Sequence, residues 1–288
     1  MKIDLTHTFF RGIGPILTRN HGYPGFVRLD HYKPCCARMM IGDRVFREIT
    51  DNVWDPETAD RRNGSRKITM QVLSTVPVMF SYWAKPHDAL ELSRRLNDHI
   101  AEVVRDHPKR FTGLATIPLQ DPDLAAQELE RCVRDLGLRG AEIGTHVDAN
   151  PHSGRIDTLN LDNASLQPVW SAAEQLNAAI FVHPWDMLGK ERMPNYWLPW
   201  LVGMPAETSL AICSMIFGGV FERFRNCVSL SPTAAVRFHS LSDESSMLFT
   251  CVPTYTQPTT PRRHAAISRM VTRRRDSTSI HSSTMPTP

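Results

Sequence analysis

The stretch IFVHPWDM, residues 180–187, closes an apolar run with His183, Pro184, Trp185 and Asp186. An imidazole at the end of a buried strand can serve as a metal ligand or a base, because one ring nitrogen is free near neutrality. A lone histidine there can equally be a satisfied core residue. A second histidine, His7, follows the short apolar start of MKIDLTHT. Two imidazoles two residues apart on a strand share a face and can hold one metal, but Thr6, His7 and Thr8 supply only one. Arg44 and Arg47 flank Val45 and Phe46. Their guanidinium forks suit an anionic substrate, or else belong to a solvated loop. The aromatic run Tyr196, Trp197, Leu198, Pro199, Trp200 either walls a pocket or covers its mouth.

The elements that must position these residues alternate regularly from residue 70. Met70–Pro77 is a short apolar strand. His87–Asp106 is helical, with Leu90, Leu92, Leu96, Ile100, Val103 and Val104 on one face and charges opposite. Phe111–Leu119 is the next strand. Asp121 and Pro122 then start a helix, the carboxylate capping it and the proline sitting where its missing N–H is harmless; Gly137 ends it. Gly140–Thr145 is a strand, 166–176 a helix, and Ala178–His183 a strand. Such βαβ units make a parallel sheet. Polar residues or prolines recur at the strand ends, at Thr75, Pro118, His146 and His183. That is the active face of a (β/α)8 barrel, and also the ligand edge of a doubly wound sheet. No GxGxxG follows any strand, which favours the barrel.

Composition narrows the class. With 288 residues, 41% hydrophobic and 22% charged, the chain can bury a sizeable core. A net charge of +3 does not argue for nucleic acid, and the run Arg273–Arg275 lacks interleaved aromatics. The longest apolar stretch, Leu210–Val220, is too short to span a bilayer, and the start lacks the order of a signal peptide. Six cysteines show no CxxC spacing, which fits reduced thiols in the cytosol. Residues 226–288 contain no Gly, Lys or Trp but seven Arg and many Ser, Thr and Pro. By composition this is a disordered tail behind an incomplete barrel spanning 1–225.

The blocks STVPVMFSYWAKP (74–86), RFTGLATIPLQDP (110–122), IGTHV (143–147), FVHPWDM (181–187) and YWLPWLVGMPAET (196–208) resemble the 2-amino-3-carboxymuconate-6-semialdehyde decarboxylases. These are zinc-dependent, non-oxidative decarboxylases of the amidohydrolase superfamily, on the tryptophan–kynurenine route. The resemblance covers about 41–224. It implies a (β/α)8 TIM-type barrel, one Zn2+ per subunit, a small dicarboxylate semialdehyde as substrate, and a cytosolic homodimer that binds neither nucleic acid nor membrane. The family's strand-five metal histidine falls on His183, a first-strand ligand on His7, its substrate-binding arginine on Arg47 and a pocket tryptophan on Trp200. No catalytic residue is retained, because the family's AHGGG, its GRI arginine and its TD aspartate have no counterpart after 224.

The loss has a readable pattern. When each codon's third base is regrouped with the next codon's first two across Ser231–Ser246 (SPTAAVRFHSLSDESS), the genetic code permits AHGGGSFPFTLGRIEH. A slip of the reading frame near Arg225 accounts for it. The expected architecture is therefore a barrel truncated after about five strands, with the fifth and first strands as open edges.

Overall fold

The computed structural model describes residues 3–8, 22–64, 68–147, 158–187, 189–230, 235–237 and 250–252; for residues 3–8, 62–64 and from 228 onward only the backbone is described. The wall begins with β1 (Ile3–Thr8). An antiparallel sheet follows, β2 (Val27–Lys33), β3 (Cys36–Ile41) and β4 (Arg44–Thr50), paired in that order. Helix α1 (Pro56–Gly64) leads to β5 (Met70–Ser74), which lies parallel to β1. Helix α2 (Pro86–Asp106) returns the chain to β6 (Phe111–Gly113) and β7 (Ala115–Thr116), two parts of one strand position interrupted at Leu114. Next come α3 (Pro122–Arg134), β8 (Gly140–Gly144), the short pair β9 (His146–Val147) and β10 (Leu159–Asn160), α4 (Gln167–Gln175) and β11 (Ala179–His183). A π-helical turn, Pro199–Gly203, runs into α5 (Met204–Phe217), then α6 (Val220–Arg223) and β12 (Val228–Leu230).

The helices form where periodicity and caps agree. In α2 the inward positions Leu92, Leu96, Ile100 and Val103 recur at helical spacing, and Pro86 opens the helix. In α3 the Asp121 carboxylate accepts from the Leu124 N–H at 3.1 Å, filling one of the donors a helix start leaves open. Both helices pack on the outer face of the wall. Leu73, Phe111, Ala141, Ile143, Ile180 and Val182 share one core with Ile100, Leu129 and Trp170. Trp170 is fully buried, and its indole N–H donates to the Leu161 carbonyl. Gly140 carries φ of 149°, and a Cβ there would meet the Ala179 carbonyl oxygen, so only glycine lets β8 and β11 approach in register.

Alternation along the strands puts the neighbouring residues on the opposite, lumen face: Ser74 on β5, Thr116 on β7, Glu142 on β8, Phe181 and His183 on β11. Thr116 sits beside Glu142 and Phe181 beside Glu142 in the parallel ladders. The antiparallel sheet has its own core, in which Phe26, Val27, Leu29, Ala37 and Met39 pack on Leu92 and Leu96 of α2.

Three expectations change. The parallel wall runs one strand further than five, because β12 pairs parallel with β11 and covers the edge expected to be open. Beyond it, β13 (Ala235–Arg237) and β14 (Thr250–Val252) add antiparallel rungs to the same sheet, within the stretch expected to contribute no strand. Thirdly, the helical run Pro199–Phe217, mean hydropathy 1.4, is long and apolar enough by composition to cross a bilayer, with 28% of it buried; the π-helical turn extends it beyond the start of the shorter apolar stretch Leu210–Val220. Glu207 in this run is buried against the barrel. The remainder of the expected tail, 231–234, 238–249 and 253–288, lies outside the described residues.

Candidate active site

The carboxyl ends of β8 and β11 lie side by side, with His183 level with Gly144. His183 is partly buried, and its ring meets Phe181 edge-on at 6.2 Å. Its Nδ1 lies 2.9 Å from the Pro184 carbonyl oxygen. A carbonyl only accepts, so Nδ1 carries the proton and Nε2 keeps its lone pair. Burial pushes the imidazole pKa below its ordinary value, against a smaller upward pull from the Pro184 carbonyl. A neutral ring with a free Nε2 is the form that a metal ligand or a general base needs.

A second histidine, His146, lies just past the end of β8, two residues beyond Gly144. The Glu207 carboxylate of α5 lies 3.0 Å from His146 Nδ1 and accepts from the Thr145 hydroxyl at 3.2 Å. All three residues are buried. This cluster fastens the first turn of α5 to the end of β8, 61 residues earlier. At the end of β8 itself the Gly144 N–H donates to the Tyr82 hydroxyl at 3.0 Å. Gln120 donates to the carbonyls of Ser81 and Ala84, which holds the loop after β5 in place.

The residues singled out in the sequence are distributed unevenly around this mouth. Arg47 is exposed on β4, its guanidinium 5.8 Å from the Phe46 ring. Phe46 in turn meets Trp185, two residues beyond His183, at 6.0 Å, so the antiparallel sheet leans on the site through that ring pair. Trp200 packs against Trp197 at 4.9 Å. Tyr196, Trp197 and Trp200 are 82%, 69% and 43% exposed. Tyr196 and Trp197 both take left-handed backbone angles near +58°, which is costly for bulky residues. His7 lies on β1 level with Leu73, and its side chain lies outside the described residues. Separately, a cleft of about 690 Å³ on the antiparallel sheet is lined by His31, Tyr32, Lys33, Cys35, Asp51 and Trp54; it includes no strand-end residue of the barrel wall.

Among the described residues no three His, Cys, Asp or Glu side chains converge on a point that could hold a metal. His183 fits as one ligand. The described side chains do not complete a divalent-metal site around it.

The amidohydrolase family model matches residues 46–230, more than half of the chain. The chain belongs to the amidohydrolase family. It is 53% identical over 226 residues to the 2-amino-3-carboxymuconate-6-semialdehyde decarboxylase of Dictyostelium discoideum, a match covering 78% of this chain and 60% of that protein. It is 34% identical over 265 residues to the Caenorhabditis elegans enzyme of the same name, covering 77% of this chain and 66% of that one. This amidohydrolase therefore spans about two thirds or less of those relatives' lengths. Among solved structures, the dihydroxybenzoic acid decarboxylase of Polaromonas sp. JS666, with bound manganese and 2-nitroresorcinol, aligns with a TM-score of 0.60 at 25% identity. That alignment covers 80% of this chain and 64% of that one.

Sequence reasoning found His183 and the strand ends, but it missed Glu142 and Glu207. Glu142 was signalled by a carboxylate inside the otherwise apolar strand GAEIG. Glu207 carries no local signal, since its partner lies on a distant strand.

Proposed function

We propose that this amidohydrolase is the barrel of a non-oxidative decarboxylase for 2-amino-3-carboxymuconate-6-semialdehyde, serving tryptophan–kynurenine breakdown in the cytosol as a zinc-dependent homodimer. We propose also that the chain as written turns over slowly or not at all. The observation that carries the reading is the 53% identity over 226 residues to the Dictyostelium decarboxylase. Manganese in the Polaromonas neighbour supports a divalent ion.

The chemistry asks for little beyond placement. As the carboxylate leaves as carbon dioxide, the bonding pair stays on carbon, which then takes one proton. The site must therefore anchor a dianion, shield the departing carboxylate from water and allow proton delivery. In this reading Arg47 anchors the anion, Trp200 borders it, and His183, with His7 on the first strand, provides metal ligands. With two ligands at most from these positions, metal is held weakly.

The impairment traces to the frame slip near Arg225, which removes the residues that would complete the site. Sequencing the transcript across codons 220–262 tests it. A transcript in the shifted frame, encoding AHGGG, makes the tail an artefact and overturns the impairment, whereas one encoding SPTAA as written leaves a broken barrel. The activity is tested on purified, zinc-loaded protein by substrate absorbance and released carbon dioxide. Background turnover is expected. Full decarboxylation sinks the impairment, and hydrolysis of lactones or amides without carbon dioxide sinks the decarboxylase reading.

A second reading is favoured by the lack of a three-ligand cluster among the described residues: a catalytically silent subunit that pairs with an intact copy. Co-purification with the full-length enzyme supports it, and its failure to associate removes it.

A further inference from the structure

Glu142 lies in the middle of β8 with 2% of its surface exposed. Its flanking residues Ala141 and Ile143 belong to the core shared with the helices, so its own side chain enters the lumen. There, among the described residues, Oε2 has no hydrogen-bond partner, and neither does the hydroxyl of buried Thr116, its direct neighbour across the β7–β8 ladder. Ser74 supplies the carboxyl with its one side-chain hydrogen bond. His183 is level with Gly144, two residues further along the strand. Standard rise and strand spacing therefore separate the Cα atoms of Glu142 and His183 by on the order of 8 Å. Glu142 occupies the lumen layer directly beneath the candidate ligand.

Two buried polar atoms side by side on adjacent strands, each without a partner among the described residues, are uncommon and costly. A polar void with at least two partners holds water. We propose that Ser74, Thr116 and Glu142 form a hydrated acid site in the barrel floor, in which Glu142 is an uncharged carboxylic acid bridged to the Thr116 hydroxyl by a bound water molecule. The surroundings agree. From β5 the group facing Glu142 is Ser74, from β7 Thr116, and from β11 Phe181, with His183 one layer above. Among the described lumen residues on these strands, His183 is the titratable neighbour, and burial lowers its pKa. No cation among the described residues offsets the desolvation of Glu142, and burial, opposed only by the Ser74 hydrogen bond, raises its pKa to about 8. The floor of the site thus stores one exchangeable proton beneath His183, whatever ligand the mouth receives.

The site does not depend on the decarboxylase reading, and its test needs no turnover. Infrared difference spectra of wild type against Glu142→Gln, at about pH 6 in H2O and D2O, are expected to show a carboxylic-acid carbonyl band. The band should shift in D2O, vanish in the variant and fade as pH rises through about 8. A carboxylate band in its place at about pH 6 overturns the acid. Should Glu142→Gln not fold, the pH difference spectrum of wild type alone separates the acid from the carboxylate. Thr116→Val is expected to shift the carbonyl band by removing one anchor of the water, and an unmoved band overturns the bridge. Failure of the carbon dioxide assay would bear on the proposed reaction and leave these spectra unchanged.

Discussion

Glu128 and Glu142 are both buried carboxyl groups, 1% and 2% exposed, on opposite sides of the same wall. Glu128 sits on α3 in the helix layer and is surrounded by donors. Asn97 Nδ2 lies at 2.8 Å, Arg131 at 2.8 and 2.9 Å, and Arg94 at 3.3 Å. Burial pushes its pKa up, but the hydrogen bonds from Arg131 and Asn97 outweigh that, and the net shift is downward. Glu142 has a hydroxyl from Ser74 and no cation, so burial wins and the pKa rises to about 8. Equal burial therefore goes with opposite pKa shifts, and the partners decide which. The helix layer is electrostatically self-sufficient, whereas the lumen leaves polar capacity unused.

The largest expected effect breaks the wall between the two sites. Gly140→Ala places a Cβ on the Ala179 carbonyl at a backbone angle that alanine resists. A loss on the order of 4 kcal/mol is expected from clash plus strain, read as a lowered urea midpoint. A midpoint unchanged from wild type would show that the β8–β11 contact is not as close as described. Next, Glu128→Ala takes one buried acceptor from Arg131, Arg94 and Asn97 and leaves Arg131 only Asp98; about 3 kcal/mol is expected, measured the same way with an unchanged slope.

The comparison is sharpened by pH. Glu128 is depressed below its ordinary 4.5, so its contribution is present above that value and is lost as pH falls through the folded pKa. Glu142 is raised, so its contribution is complete below about 4.5 and is lost as pH climbs toward about 8. Glu142→Gln should therefore gain on the order of 2 kcal/mol over wild type near neutrality and flatten the stability curve between those limits. Parallel curves for the two proteins would contradict it. The smallest effect is Asp121→Ala, which removes the α3 cap beneath Glu128 and should cost about 1 kcal/mol by thermal melting.

The outer side of the wall was legible in the sequence because its determinants are local. Leu92, Leu96 and Ile100 recur at helical spacing, Asp121 and Pro122 mark a start, and Gly137, at φ of 71°, marks a stop. The antiparallel sheet was not legible. Its outermost strand, β4, is exposed at five of seven positions, so it shows no apolar alternation, and its pairing with β3 is set by the sheet it joins. Strand β12 is three residues long and is defined by its rungs to β11. At the site, His183 was readable from the apolar run it ends. The His146–Glu207 pair and the Ser74–Glu142 contact were not, since each depends on two distant segments meeting across the fold.

The contrast between Trp170 and the pair Trp197 and Trp200 has an optical consequence. Trp170 is sealed in the helix-side core, while Trp197 and Trp200 stand open to solvent beside the mouth. Emission from the first is blue-shifted and shielded, and emission from the other two is red-shifted and open to iodide. A molecule settling over the mouth would dim the quenchable part of the signal and leave the shielded part alone, whereas melting the barrel would merge the two. These three of the chain's six tryptophans thus give occupancy and integrity separate colours in a single unlabelled sample.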